Sequence, residues 1–219
     1  MSTSIRLYSF FVSIQGESTR AGLPCAFVRL AGCPLACRYC DTLEARTADG
    51  VPTEIRDIVA RCRATGMRLV EVTGGEPLAQ PGALPLLAAL ADAGLEVMLE
   101  TSGALPIRAV DPRVRVVMDI KTPGSGMVDR FCGENLDVLA RGRHEVKFVV
   151  TSRADFDWAV DRARRADLAN RCDVLVSPAH PAVAFDELAE WILACGLPLR
   201  FQPQLHRLIW PAATQAEER

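Results

Sequence analysis

Three cysteines, Cys33, Cys37 and Cys40, lie within eight residues at C-x3-C-x2-C spacing. Three thiolates can hold three irons of a cubane iron–sulfur cluster and leave the fourth iron open to bind a small molecule. The known ferredoxin spacings supply four cysteines, and a closed structural zinc site also has four ligands. No fourth cysteine or histidine lies near this loop, because Cys25 belongs to the preceding apolar segment and Cys62 to a predicted helix. The spacing therefore predicts a 4Fe–4S cluster with chemistry at its open iron.

On spacing alone, two other uses of these cysteines remain open. A distant ligand could complete a zinc knuckle, or Cys37 and Cys40 could form a redox pair.

A second polar motif, residues 73–77 (Thr-Gly-Gly-Glu-Pro), follows a short apolar segment. Two glycines after a strand let the backbone approach a ligand closely. The Glu76 carboxylate could accept hydrogen bonds from an ammonium group. This motif predicts a ligand contact at the end of a strand.

Arg29 is a charged residue inside the apolar segment 26–30. An arginine is rarely buried without a partner, and its planar fork suits bidentate capture of a carboxylate. The alternative is an ion pair with a structural acid of the protein itself.

The elements that must position these residues alternate between strands and helices. Strands are predicted at 5–12, 25–30, 69–72, 95–99, 114–118, 146–150, 173–176 and 199–202. Helices are predicted at 54–65 with Thr53 as its cap, from near Pro85 to Gly94, and at 135–140, 155–168 and 185–195. Repeated βα units predict parallel strands with right-handed crossovers. The strands from 25–30 onward are the barrel-type strands, and these seven are too few for a full eightfold barrel. We therefore expect an α/β fold with a partial or modified (β/α) barrel; a doubly wound flat sheet is the competing arrangement.

Polar motifs recur where these strands end: the cysteine loop, Thr73–Pro77, Glu100–Gly103, Asp119–Lys121 and Ser177–Pro178. In both architectures the carboxyl ends of the strands meet on the ligand-binding face. We therefore expect these motifs to share one site.

Composition limits the functional classes. The net charge is −2 and the calculated isoelectric point is about 6.0, so no basic field predicts nucleic-acid binding. The N-terminal residues carry no signal-peptide core, and no apolar segment approaches membrane-spanning length. Eight cysteines then indicate thiols or metal ligands in a reducing cytoplasm. The 219 residues fit a single domain, with an N-terminal strand and loop over 1–24 and a polar tail over 212–219.

Together the motifs resemble one family, the 7-carboxy-7-deazaguanine synthases, which are radical S-adenosylmethionine (SAM) enzymes of queuosine biosynthesis. The resemblance runs from about Ser9 to Pro211 and depends on the order and spacing of several short segments. These are Ser13–Glu17, Phe27–Arg29, the cysteine loop ending in Asp41-Thr42, Val72–Pro77, Leu99–Gly103 and Gln204–His206.

The resemblance implies a role for each matching residue. A 4Fe–4S cluster is expected on Cys33, Cys37 and Cys40. SAM contacts are expected at Gly74, Gly75, Glu76, Ser102, Asp119, Lys121 and Ser177. Substrate contacts are expected at Ile14, Gln15, Gly16, Glu17, Arg29, Thr73 and His206, and Thr42 is the expected protein ligand of Mg²⁺.

The resemblance also implies a reaction, the conversion of 6-carboxy-5,6,7,8-tetrahydropterin to 7-carboxy-7-deazaguanine with loss of ammonia. In the family, the reduced cluster cleaves SAM to a radical that takes hydrogen from the substrate, the ring contracts, and SAM is reformed. The implied partners are the small pterin, a flavodoxin or ferredoxin-type reductant and a second copy in a homodimer, with no direct nucleic acid and no membrane.

Two functional alternatives are kept. A glycyl-radical-enzyme activase would share the three cysteines, but its typical residues after the last one are His-Asn rather than Asp41-Thr42. A non-catalytic zinc-binding protein would lack the brown colour of an iron–sulfur protein.

Overall fold

One mixed β-sheet forms the frame of the molecule, whose computed structural model describes residues 4–210. Its strands are β1 Ser4–Ile14, β2 Pro24–Leu30, β3 Val51–Glu54, β4 Leu69–Gly74, β5 Glu96–Thr101, β6 Arg115–Asp119, β7 His144–Val150, β8 Asp173–Pro178 and β9 Arg200–Phe201. The predicted tail at 212–219 lies outside the described residues.

The strand order is β3-β1-β2-β4-β5-β6-β7-β8-β9. Strands β2 and β4 to β9 pair in parallel, whereas β1 is antiparallel to both β2 and β3. A doubly wound sheet reverses its strand order at a switch point, but here β4 lies beside β2 and each strand from β5 to β9 lies beside the one before it. The open, partial-barrel arrangement is confirmed, and the doubly wound alternative is wrong.

Within residues 4–210 there are seven α-helices, six of which lie between strands while the last follows β9. They are α1 Leu43–Thr47, α2 Ile55–Ala64, α3 Ala83–Asp92, α4 Arg153–Arg165, α5 Leu168–Arg171, α6 Phe185–Ala194 and α7 Leu205–Ile209. The predicted short helix at 135–140 is a 3-10 helix, Gly133–Val138. In the part of the chain described, no helix is both long and apolar enough to cross a membrane.

The boundaries of helices α2 and α4 differ from the prediction. Thr53 does not cap α2; it lies in β3, where pairing with β1 takes over its backbone, and its hydroxyl donates to the Val51 carbonyl at 3.0 Å. Helix α4 begins earlier than predicted because the Ser152 hydroxyl accepts a hydrogen bond from the Asp155 N–H at 3.3 Å. It also ends earlier, because Asp167 takes a left-handed conformation (φ 51°) that separates it from α5.

The main core lies between the sheet and the helices. It includes Val28, Val72 and Leu99 from the strands and Leu86 and Leu90 from α3, all fully buried. Because successive side chains of a strand point to opposite faces, the intervening residues face away from these helices. That second face carries the site.

Candidate active site

Six strands place a layer of polar side chains on the second face of the sheet, near their carboxyl ends. The layer consists of Arg29, Thr73, Glu100, Asp119, Lys147 and Ser177. All six residues line one cavity of about 770 Å³, a volume typical of small-molecule sites. The expected convergence of the strand-end motifs is therefore present.

The cysteine loop forms one wall of this cavity. Cys33, Cys37 and Cys40 are half-buried and border it. Backbone hydrogen bonds hold the loop at both ends: the Glu76 N–H donates to the Gly32 carbonyl at 2.9 Å, and the Arg38 N–H donates to the Ser125 carbonyl at 3.0 Å. The loop is thus positioned by its backbone, and the cysteine side chains remain for ligands.

The two glycines of the 73–77 motif have a different packing reason from the one predicted. Gly74 has φ +136°, and a Cβ on it would lie 2.1 Å from the Leu30 carbonyl oxygen. A Cβ on Gly75 would lie 2.0 Å from the Gly32 carbonyl oxygen. The glycines therefore let β4 approach the end of β2 and the cysteine loop, and both also border the cavity.

The three thiols fit a cluster better than a single ion. Within residues 4–210, no three His, Cys, Asp or Glu side chains could hold one metal ion together. A cubane instead takes each thiolate on a different iron, which matches three thiols spread along one wall. Burial raises the pKa of Cys33 and Cys37, so ligation must displace their protons.

The wall beside the cysteines leaves two buried polar atoms without a partner. Neither Asp119 Oδ1 nor Ser177 Oγ makes a hydrogen bond among the described residues, and both residues border the cavity. Buried polar atoms are normally hydrogen-bonded, so these two fit a polar ligand such as SAM. Lys121 donates to the other oxygen, Asp119 Oδ2, at 2.9 Å and lies 5.9 Å from the centre of the Tyr39 ring. Tyr39 was not among the predicted site residues.

Glu76 lies behind the cavity wall rather than on it. Its side chain is fully buried and accepts hydrogen bonds from the Thr101 hydroxyl at 2.8 Å, from the Ser102 N–H at 2.7 Å and from the Leu78 N–H at 3.0 Å. Its carboxylate is occupied by the protein, so the structure does not present it to an ammonium group. Glu76 instead holds Thr101 and Ser102, which do border the cavity.

The predicted substrate loop, residues 14–17, also borders the cavity. Gln15 is buried: its amide nitrogen donates to Glu71, and its amide oxygen accepts from the Glu17 N–H at 2.9 Å. The Gly16 carbonyl accepts from the Leu205 N–H at 3.1 Å, and a Cβ on Gly16 would lie 2.8 Å from His206 Nδ1. The structure thus brings residues 14–17 and His206 to one wall, with the Gln15 side chain used to shape the loop.

Lys147 is the central cation of the site and was missed by the sequence analysis. Its ammonium pairs with Glu17 at 2.8 Å, with Glu100, and with Asp119 at 3.6 Å. Burial alone would lower its pKa, but the three carboxylates raise the pKa well above its usual value. The signal was present in the sequence, because a lysine inside the apolar strand 146–150 is as unusual as an arginine inside 26–30.

Arg29 and Thr42 meet at the mouth of the cavity. Arg29 Nη1 donates to the Thr42 hydroxyl at 3.4 Å, and that hydroxyl donates to Asp41 Oδ1 at 2.9 Å. Gln204 Nε2 lies 3.3 Å from the other Asp41 oxygen. Adjacent hydroxyl and carboxylate oxygens match the ligand preference of Mg²⁺, and Asp41 adds a donor to the predicted Thr42.

Glu71 is a buried acid on the same face. Burial, and next the charge of Glu100, raise the pKa of its carboxyl group well above the usual value. The unfolded chain loses this proton near pH ~4.3, before the folded protein does, so Glu71 makes the free energy of unfolding fall as pH rises. We expect Glu71→Gln to remove this contribution.

Urea unfolding at mildly acidic and at neutral pH measures the effect. Glu71→Gln should gain stability relative to the unsubstituted protein as pH increases. An equal stability difference at both pH values would contradict the raised pKa.

Comparison with known proteins agrees with this geometry. A family model described as the Radical SAM superfamily matches residues 28–192. A curated 7-carboxy-7-deazaguanine synthase from Chlorobaculum tepidum is 45% identical over 94% of each chain, and one from Koribacter versatilis is 36% identical over 96% of this chain and 99% of the relative.

Among solved structures, QueE from Escherichia coli shares the fold with a TM-score of 0.71 at 24% identity, covering 93% of this chain and 95% of that chain. Neither the activase nor the zinc-binding alternative is favoured by these matches. The family implies a 4Fe–4S cluster and SAM as cofactors, for which the cysteine loop and the unpartnered atoms of Asp119 and Ser177 are suited. The chain belongs to the 7-carboxy-7-deazaguanine synthase family of the Radical SAM superfamily.

Proposed function

We propose that this protein converts 6-carboxy-5,6,7,8-tetrahydropterin to 7-carboxy-7-deazaguanine with loss of ammonia, as a step of queuosine biosynthesis. The observation that carries the proposal is the single cavity that joins the three cysteines to Arg29, Thr42 and the 14–17 loop. The relatives named 7-carboxy-7-deazaguanine synthase support the product.

The test is anaerobic turnover of the candidate pterin by the reconstituted enzyme, followed by mass analysis of the product. We expect a mass that corresponds to ring contraction with loss of ammonia. SAM cleavage without any change in the pterin would contradict the proposal.

In this proposal, different residues of the cavity hold the cluster, orient SAM and surround the substrate. When bound, the cluster and SAM supply radical hydrogen abstraction. Cys33, Cys37 and Cys40 hold the cluster, and Asp119 and Ser177 orient SAM through their unpartnered oxygens. The wall formed by Glu17, Glu100 and Lys147 holds paired charges in fixed positions, so that the substrate meets fixed charges instead of mobile solvent.

Arg29 captures the substrate carboxylate in this proposal. Arg29→Lys keeps the charge but loses the planar fork, so we expect substrate binding to weaken by about 1–3 kcal/mol. Titration of the substrate measures this loss, and release of deoxyadenosine in the absence of substrate should persist.

Arg6→Lys is the control, because Arg6 is an exposed arginine on β1 whose guanidinium bonds to the Asp49 carbonyl at 2.7 Å. Unchanged substrate binding in Arg29→Lys would mean that Arg29 serves the structure only.

Thr42 holds Mg²⁺ together with the substrate in this proposal. A hydroxyl is a weak ligand and Mg²⁺ keeps several waters, so metal and substrate should raise each other's affinity by the same factor. Thr42→Ala should reduce this coupling, and Thr42→Ser should largely restore it because the oxygen is kept.

Substrate titration with and without Mg²⁺ measures the coupling in each variant. If Mg²⁺ increases the affinity for substrate by the same factor in the unsubstituted protein, Thr42→Ala and Thr42→Ser, then Thr42 is not the ligand. In that case the same titration of Asp41→Asn should show a reduced coupling, which would identify the neighbouring Asp41 carboxylate as the ligand.

The proposal also includes protein partners and a cellular compartment. A flavodoxin or ferredoxin-type protein supplies the electron, and two copies of the chain form a homodimer. A reducing cytoplasm is supported by the eight cysteines, all of which are free thiols.

A further inference from the structure

A buried carboxylate lies below the cavity, on the strand that carries Lys147. Glu145 on β7 is fully buried and does not border the cavity. Because Glu145 precedes Lys147 by two strand positions, its side chain points to the same face of the sheet, roughly 6.6 Å nearer the amino end of the strand. No step of the proposed reaction uses this acid.

Both oxygens of Glu145 accept hydrogen bonds from one residue that lies far away in the chain. The Thr19 N–H donates to Oε2 at 2.8 Å, and the Thr19 hydroxyl donates to Oε1. Arg115 Nη1 lies 3.6 Å from Oε1 and supplies a compensating positive charge. A buried carboxylate with these partners is a fixed acceptor, because the loss of one partner would leave its charge incompletely paired.

Thr19 belongs to the turn between β1 and β2, residues 15–23, which also contains most of the predicted substrate loop. The turn is closed at its base by its own backbone: the Gln15 N–H donates to the Leu23 carbonyl at 2.8 Å, and the Gly22 N–H donates to the Gln15 carbonyl at 2.8 Å. The tip of the turn, residues 17–20, is held by side chains of other strands.

Two residues of β7 hold this tip side by side. Lys147 pairs with Glu17 at 2.8 Å, and Glu145 holds Thr19. Between the two contacts, Ser18 is buried and has φ 77°, a left-handed conformation that a residue with a side chain rarely adopts. Such a conformation persists only where the surrounding contacts fix it. The pairs on either side of Ser18 are contacts of this kind.

A third contact of the tip is weaker. Arg20 forms an ion pair with Glu96 at 2.7 Å, but these side chains are 35% and 40% exposed. Ion pairs that reach the solvent contribute little, because water and salt screen them. The buried acceptor Glu145 is therefore the stronger anchor for the residues that follow Glu17.

We propose that Glu145 is a positioning residue for the substrate: through Thr19 it fixes the tip of the 15–23 turn, so that Glu17 and its neighbours meet the pterin in one arrangement. This inference rests on the proposed function and adds a residue that lies outside the cavity. Displacement of a positioning group by about 1 Å can cost up to ~100-fold in rate. Releasing the tip should therefore impair use of the pterin while the cluster and SAM are unaffected.

Thr19→Val tests the contact, because valine keeps the size and the backbone N–H but loses the hydroxyl. In the reconstituted enzyme we expect the KM for the pterin to rise about tenfold, whereas deoxyadenosine release without the pterin stays unchanged. Thr19→Ser keeps the hydroxyl and should return the KM close to that of the unsubstituted enzyme. Amide hydrogen exchange of residues 15–23 in the protein without substrate should be faster in Thr19→Val than in Thr19→Ser.

Glu145→Gln tests the other partner. The amide keeps one acceptor oxygen for the two donors of Thr19 and turns its own N–H groups toward them. The KM for the pterin should therefore rise at least as much as in Thr19→Val, again without a change in deoxyadenosine release in the absence of the pterin.

Thr65→Val is the matched control. Thr65 is half-buried like Thr19, and its hydroxyl donates to the Cys62 carbonyl at 2.7 Å at the end of α2. Thermal unfolding should show a loss of stability in Thr65→Val as in Thr19→Val. The KM for the pterin and the hydrogen exchange of residues 15–23 should stay unchanged in the control.

The outcomes separate this inference from the proposed function. If the unsubstituted enzyme does not convert the pterin, the proposed function and the inference both fail. If it does, but Thr19→Val and Glu145→Gln keep its KM, only the inference fails, whatever the stability of the two variants. An equal rise of the KM in Thr65→Val would also overturn the inference, because that pattern reports general destabilisation.

Discussion

We expect Cys37→Ala to fold normally but no longer to cleave SAM, so that its deoxyadenosine release falls to background. The reason is that the half-buried Cys37 thiol lies on the cavity wall, outside the apolar clusters of the core. The loop is held by backbone hydrogen bonds at Gly32 and Arg38, which the substitution leaves in place. Iron content, deoxyadenosine release and a thermal unfolding curve measure the three parts of this result.

Cys62→Ala is the control, since Cys62 is fully buried on α2 in the main core and does not border the cavity. Its turnover should be near normal even if its stability is lower. Normal cluster reconstitution together with normal SAM cleavage in Cys37→Ala would overturn the assignment of the open-iron site.

We expect Lys147→Met to destabilise the protein by about 3–5 kcal/mol, because it leaves buried carboxylates without their cation. Lys147 is buried and pairs with Glu17, Glu100 and Asp119. Burial alone would raise the pKa of Glu100, but the ion pair with Lys147 outweighs it and lowers the pKa. That carboxylate therefore stabilises the fold above its unfolded pKa of ~4.3 and loses this effect as pH falls through its folded pKa.

Urea unfolding of Lys147→Met should show its largest loss at neutral pH and a smaller loss in acid, where the carboxylates are protonated. Adding Glu100→Gln should recover part of the loss, since one unpaired charge is removed. Lys147→Arg, which keeps the charge, should lose less than Lys147→Met. A Lys147→Met protein as stable as the original would show that the three acids do not depend on this lysine.

The sequence predicted those parts of the site that depend on residues close together in the chain. The cysteine loop, Arg29 inside an apolar strand and the polar residues at strand ends all predicted the shared cavity, because parallel strands bring their carboxyl ends together. The alternation of βα units also predicted the parallel pairing of β2 and β4 to β9.

The rest depends on contacts between residues far apart in the chain. Val51–Glu54 forms a strand only because β1 lies beside it, and Thr53 alone reads as a helix cap. Glu76 and Gln15 carry the polar atoms that a ligand needs, yet Thr101, Ser102 and Glu71 already occupy those atoms in the fold. Which partner a polar side chain takes is set by tertiary approach, and a single sequence does not show it.

The contact between the 14–17 loop and α7 has a consequence for the order of folding. Glu17 and Gln204 are 187 positions apart, and the hydrogen bond between them is 3.0 Å long. Neighbouring parallel strands can pair as the chain leaves the ribosome, but this wall must wait for almost the whole chain, and long-range closure is slow. Strands β1 to β8 and the cysteine loop can therefore assemble before this wall of the cavity is closed, so that the three thiols are in position before the cavity is complete.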